Sequence, residues 1–149
     1  MGKTILIVED EFLVALNLSR TLSTLGFEPI GIAPDAETAM RLASEKPDFA
    51  LVDVNLRDGE TGPTIGKMLA QNYGVAVLFL TANPASLGEG VAGTIGCLSK
   101  PVDEIAVETA LEFMLDHVNG ATSTPPPSIR VFGNDNDQAF SNRSGIKQN

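Results

Sequence analysis

The chain has 149 residues, 43% of them apolar, enough for one domain with a real core. Its single cysteine excludes an internal disulfide and points to a reducing compartment, and no apolar run approaches the ~20 residues that cross a bilayer. The net charge of −9 is unevenly placed: residues 1–118 carry 17 Asp/Glu against 7 Lys/Arg, which disfavours binding to nucleic-acid phosphates.

Met1-Gly2-Lys3 enters the first apolar run directly, with no basic segment leading into a longer apolar stretch. No secretory signal is expected, and the expected location is the cytoplasm. Thr4-Ile5-Leu6-Ile7-Val8 reads as a strand covered on both faces, and Glu9-Asp10-Glu11 closes it. Val14, Leu18, Leu22 and Leu25 then recur at helical spacing, with Gly26 as the stop. Residues 28–33 read as a weaker strand, placed at an edge by Pro29. Asp35 is positioned to cap a helix whose apolar side holds Ala36, Ala39, Met40 and Ala43 and which Pro47 ends.

Phe49-Ala50-Leu51-Val52-Asp53 is a second buried-strand pattern, and a polar loop follows it at once. Gly62-Pro63 opens a helix with Ile65, Met68 and Leu69, and Gly74 ends it. Val75 to Leu80 is a further strand, ending in Thr81. Pro84 is placed to start another helix, although Gly88, Gly90 and Gly93 lower helix propensity there. Thr94 to Leu98 is the fifth strand, followed by Ser99-Lys100-Pro101; Val107, Leu111, Leu115 and Val118 then mark one face of a final helix.

Five strands and five helices in alternation predict an α/β fold: a doubly wound parallel sheet, flavodoxin-like (βα)5, in strand order 2-1-3-4-5. That order places the first and third strands side by side, so that Asp10 and Asp53 meet at the carboxyl edge, where such sheets bind ligands. Residues 1–118 form the domain, and residues 119–149, rich in Asn, Ser, Gly and Pro, read as a separable tail outside the core. One reservation attaches to Ile129-Arg130-Val131-Phe132, which alternates and has the pattern of an added edge strand.

The strand ends deliver chemistry to one rim. Carboxylates from Glu9, Asp10 and Asp53 repel one another unless a cation intervenes, and Mg2+ accepts one or two carboxylates while keeping room for phosphate oxygens. The plainer alternative for Glu9 and Glu11 is that of acids favoured by a helix N-terminus. Asn55, two residues past Asp53, is placed to offer its backbone carbonyl to the same cation. Thr81 brings a hydroxyl, and Lys100 an ammonium that offsets the carboxylates and a phosphoryl group. Cys97, inside a strand with no adjacent basic residue, reads as a buried inert thiol. His117, the only histidine, reads as a residue favoured by its helix C-terminus.

Ile7-Val8-Glu9-Asp10-Glu11, Leu51-Val52-Asp53-Val54-Asn55-Leu56, Leu80-Thr81-Ala82 and Ser99-Lys100-Pro101 together resemble the receiver domain of two-component response regulators, over roughly residues 3–118. The resemblance implies Asp53 as phosphoacceptor, with Thr81 as the switch hydroxyl and Lys100 as the phosphate-pairing cation. It also implies a Mg2+ site made by Glu9, Asp10, Asp53 and the Asn55 carbonyl. The phosphoryl donor would be a histidine kinase or phosphotransfer protein, and a protein target, not yet defined, would read the result. No nucleic acid, no membrane and no classical enzyme activity are expected, and the chain should be a monomer or weak homodimer. Three departures stand out: Cys97 where an aromatic switch residue is common, Asp58 where a proline is common, and a glycine-rich stretch where the fourth helix normally forms.

A phosphorylation-independent docking module is the alternative. A hydrolase with an aspartyl nucleophile fits less well, because such enzymes carry a DxD-type pair on the first strand, whereas here the first strand gives Glu9-Asp10 and the solitary Asp53 comes on the third. A flavodoxin reading lacks a phosphate-cradling loop and flanking aromatics.

Overall fold

The computed structural model describes residues 2–133. The chain alternates as expected through β1 (Thr4–Val8), α1 (Phe12–Thr24), β2 (Glu28–Ala33), α2 (Ala36–Ala43), β3 (Phe49–Asp53), α3 (Gly62–Tyr73) and β4 (Ala76–Thr81). It continues through a short 3-10 turn (Pro84–Leu87), β5 (Gly96–Ser99), α4 (Glu104–Val118) and β6 (Ile129–Val131). The strands lie in the order β2-β1-β3-β4-β5-β6; neighbours from β2 to β5 pair in parallel and β6 pairs antiparallel to β5. The predicted order 2-1-3-4-5 is therefore present, with one strand added.

Two-residue periodicity divides the core. Ile5, Ile7, Phe49, Leu51, Leu78 and Leu80 face one layer with Leu18 and Leu22 of α1 and Leu111 and Met114 of α4. Leu6, Val8, Ala50, Val52, Val77 and Phe79 face the other, with Ala39 and Ala43 of α2 and Ile65 and Leu69 of α3. Strands covered on both faces need apolar residues at every position, which is why β1 and β3 read as continuous runs rather than alternations. The caps expected from sequence form: Asp35 accepts from the Thr38 N–H at 3.0 Å, and Gly74 closes α3 in the left-handed conformation, φ +69°.

Two expectations are corrected. The helix anticipated from Pro84 is reduced to the 3-10 turn, because Gly88, Gly90 and Gly93 all take positive φ (+55°, +119° and +87°) and no α-helix continues through such residues. The tail anticipated to lie apart from the core instead returns to it. Ile129 and Phe132 are each 7% exposed, and β6 pairs with the edge of β5 from Leu98↔Ile129 to Gly96↔Val131. The rest of the tail, 134–149, lies outside the described residues.

Candidate functional site

Asp53 closes β3 between β1 and β4, and only 5% of it is exposed. Glu9, directly after β1, is 1% exposed, while Asp10 beside it is more open to solvent. One oxygen from each of Glu9, Asp10 and Asp53 lies within 4.8 Å of the others. Lys100, just past β5, donates from Nζ to Asp53 Oδ2 at 2.7 Å and stands 3.5 Å from Glu9 Oε1. Its backbone N–H donates to the Thr81 carbonyl at 2.9 Å, so the ends of β4 and β5 are tied where both side chains emerge. The Lys100–Pro101 peptide bond is cis.

The two Glu9 oxygens are used differently. Oε2 accepts from the Glu11 N–H at 3.1 Å, which is the helix-start role considered for this acid. Oε1 is buried with no hydrogen-bond partner, a condition shared among the described residues only with Ser123 Oγ. The Lys100 ammonium at 3.5 Å offers it charge without a hydrogen bond. A buried carboxylate oxygen lacking a donor suits a bound cation, so the acidic cluster fits a Mg2+ ion on its own donor set. Burial, joined by the charge of Asp53, pushes the Glu9 carboxyl up from 4.5 to about 7, against the Glu11 N–H and Lys100, which pull it down. Burial alone would lower the Lys100 ammonium, but the hydrogen bond and charge of Asp53, followed by Glu9, outweigh it and move it up.

Asn55 reaches the site through its N–H, which donates to Asp53 Oδ1 at 3.1 Å. Thr81 is 2% exposed, and its Oγ1 accepts from the Asn83 N–H at 3.0 Å, which engages it with the turn that follows. Cys97 is a free thiol, 1% exposed; burial pushes it up, with Arg130 pulling against that, as expected of an inert core residue.

Three features escaped the sequence reading. A Cβ at Gly62 would lie 2.1 Å from the Asp53 carbonyl oxygen and 2.7 Å from Val54 Cα, so only glycine lets the start of α3 close against the end of β3. Asp58 accepts from the Ala36 N–H at 3.1 Å and from the Thr61 hydroxyl at 2.6 Å, while Arg57 pairs with Asp35; the loop after β3 is thereby fastened to the start of α2. The third is a set of exposed apolar side chains on the first turns of α1 and α4. Phe12, Leu13 and Ile105 are 64%, 73% and 73% exposed, next to a groove of about 570 Å³ between α1 and α4 that Lys100 also lines. Phe12 and Leu13 precede the buried stripe of α1, which was their only signal in the sequence.

Residues 5–112 match the model of the response regulator receiver domain. The chain belongs to the response regulator receiver family. It is 38% identical over 86 residues to the phyllosphere-induced regulator PhyR of Methylorubrum extorquens, a match covering 56% of this chain and 32% of that protein's length. It is 30% identical over 129 residues to the photosynthetic apparatus regulatory protein RegA of Rhodovulum sulfidophilum, covering 83% of this chain and 67% of that protein. The solution structure of the PhyR response regulator REC domain from Erythrobacter litoralis superposes with a TM-score of 0.70 at 28% identity, over 83% of this chain and 97% of that one. Receivers of this family serve two-component signalling, and the observed flavodoxin-like sheet is theirs. Among the described residues no helix is long and apolar enough to cross a membrane.

Proposed function

We propose that this receiver accepts a phosphoryl group on Asp53 from a histidine kinase or phosphotransfer protein and that the aspartyl phosphate switches the binding of a protein target. The observation that carries the reading is a nearly buried carboxylate at the carboxyl end of a central strand, paired to an ammonium at 2.7 Å and flanked by two further carboxylates. An Asp53 oxygen attacks the phosphorus of a phosphohistidine. The P–O bond forms as the P–N bond breaks, and the electron pair leaves on the imidazole nitrogen, which takes up a proton. Lys100 moves its ammonium from the carboxylate to a phosphoryl oxygen, and Thr81 donates its hydroxyl to another. Glu9, Asp10, Asp53 and the Asn55 carbonyl would hold Mg2+, which when bound supplies charge neutralisation for the incoming oxygens. Attack of water on the aspartyl phosphate resets the switch. Exposed Phe12, Leu13 and Ile105, at the starts of α1 and α4, offer the donor protein apolar contacts.

Intact-mass measurement after incubation with Mg2+ and a small phosphodonor tests this. Wild type should gain one phosphoryl mass and Asp53→Ala should gain none; a gain by the variant refutes the assignment. The replacement of an aromatic residue by buried Cys97 favours a second reading, a docking module indifferent to phosphorylation. An unphosphorylatable wild-type chain that still captures its target would select it.

A further inference from the structure

The tail strand grips the one segment of the fold that failed to become a helix. Arg130, in the middle of β6, sends Nη1 to the Gly88 carbonyl at 2.9 Å and Nη2 to the Pro84 carbonyl at 2.8 Å. Its guanidinium lies 5.1 Å from the centroid of the Phe132 ring, and that ring lies 6.3 Å from Phe79 in the core. Gly90 admits the ring: a Cβ there would stand 2.6 Å from Phe132 Cγ. The Phe132 N–H donates to the Ile95 carbonyl at 2.9 Å, and the Ser99 N–H reaches the Ser128 carbonyl at 3.4 Å. One short strand thus covers the edge of β5 and clamps the two ends of the 84–88 turn.

The turn is also tied to the site. Thr81 Oγ1 holds the Asn83 N–H, one residue before Pro84. The path from Asp53 to the tail therefore runs through Thr81, the Asn83 amide, the turn carbonyls and Arg130. We propose that residues 128–132 are an autoinhibitory latch: they occupy the outer edge of β5 in the resting chain and are released when Asp53 is phosphorylated. This rests on the phosphoacceptor reading above. When the Thr81 hydroxyl turns to the phosphoryl group, it leaves the Asn83 N–H. The turn then loses the anchor that aims its carbonyls at Arg130. A guanidinium held by two carbonyls of a glycine-rich segment is sensitive to such a shift, because both hydrogen bonds depend on one local geometry. Release frees an extended segment and uncovers the row of backbone groups on β5.

Hydrogen exchange on the full chain, with and without Mg2+ and a small phosphodonor, tests the latch. Intact mass is read on the same samples. In phosphorylated wild type the Phe132 and Ser99 amides should exchange at least about tenfold faster than in the unmodified chain. Arg130→Gln should show fast exchange at Phe132 in both states. Thr81→Ala, which lacks the hydroxyl that anchors the Asn83 N–H, should show fast exchange at Phe132 with or without the phosphoryl group. Wild type that gains the phosphoryl mass with unchanged exchange at 128–132 overturns the latch alone. Wild type that gains no mass overturns the phosphoacceptor reading, and the phosphoryl-released latch with it.

Discussion

Glu9 places a pH dependence at the scale of one residue. Its carboxyl is raised to about 7 in the fold from an ordinary 4.5, chiefly by burial. The folded chain then binds this proton more tightly than the unfolded chain. Its contribution to stability is fully present below pH 4.5 and is lost as pH rises to about 7. Metal-free wild type should therefore lose up to about 3 kcal/mol relative to Glu9→Gln across that interval, measured by denaturant unfolding at several pH values. Equal slopes for the two proteins would remove the effect. Asp10→Ala should keep the fold and abolish the rise in Tm on adding Mg2+, and an unchanged Mg2+ response would deny Asp10 its role. The gathering of these side chains was legible because Glu9, Asp10, Asp53, Thr81 and Lys100 all stand at the ends of apolar runs. The double duty of Glu9 was not, since the choice between helix start and cation site depends on which oxygen faces which neighbour. In the fold Oε2 meets the Glu11 N–H at the helix start, while Oε1 is left without a hydrogen-bond donor beside Asp10 and Asp53.

Elements were read well wherever one periodicity dominated. β1 and β3 announced themselves as unbroken apolar runs, and α4 as a stripe from Val107 to Val118, of which Val107 and Leu111 are buried and Val118, at the helix end, is exposed. The segment after β4 failed because Pro84 argued for a helix start while three glycines argued against continuation, and backbone freedom won. Gly62 shows another blind spot. In the sequence it reads as half of a helix-opening Gly-Pro pair, yet what matters is the approach of α3 to the β3 end. Gly62→Ala must push a backbone carbonyl aside, so it should cost about 3 kcal/mol by chemical denaturation and slow phosphorylation of Asp53. Gly90→Ala combines a φ of +119° with a clash against Phe132, and should cost about 2 kcal/mol, concentrated in faster exchange of the 128–132 amides.

Over the whole molecule, the alternation of strands and helices gives the sheet order, and the sixth strand lies where Ile129-Arg130-Val131-Phe132 alternates. The polar composition around that run argues for a separable tail, and three strand residues alone do not show that they dock on this chain's own β5. The partners of Arg130 lie 42 and 46 residues earlier and are main-chain carbonyls, which leave no trace in side-chain pattern. The tail expected to be dispensable is thus predicted to matter: a chain ending after Gly120 uncovers Phe79 and the edge of β5, and should melt roughly 5 °C lower than the full chain. A melting point identical to wild type would return the tail to the status of a linker.

Residues 119–128, with Pro125-Pro126-Pro127 among them, connect α4 to β6. Such a short tether keeps the strand near the edge of β5 at a local concentration of roughly millimolar. Any rival peptide arriving from another molecule competes against that standing excess, while the tethered strand needs no encounter at all. Closure is therefore first order and indifferent to how much of the protein a cell makes, whereas pairing between molecules grows with abundance. Lengthening the tether would weaken closure gradually and leave every contact with β5 and the turn intact, a means of setting the sensitivity of the switch by spacing alone.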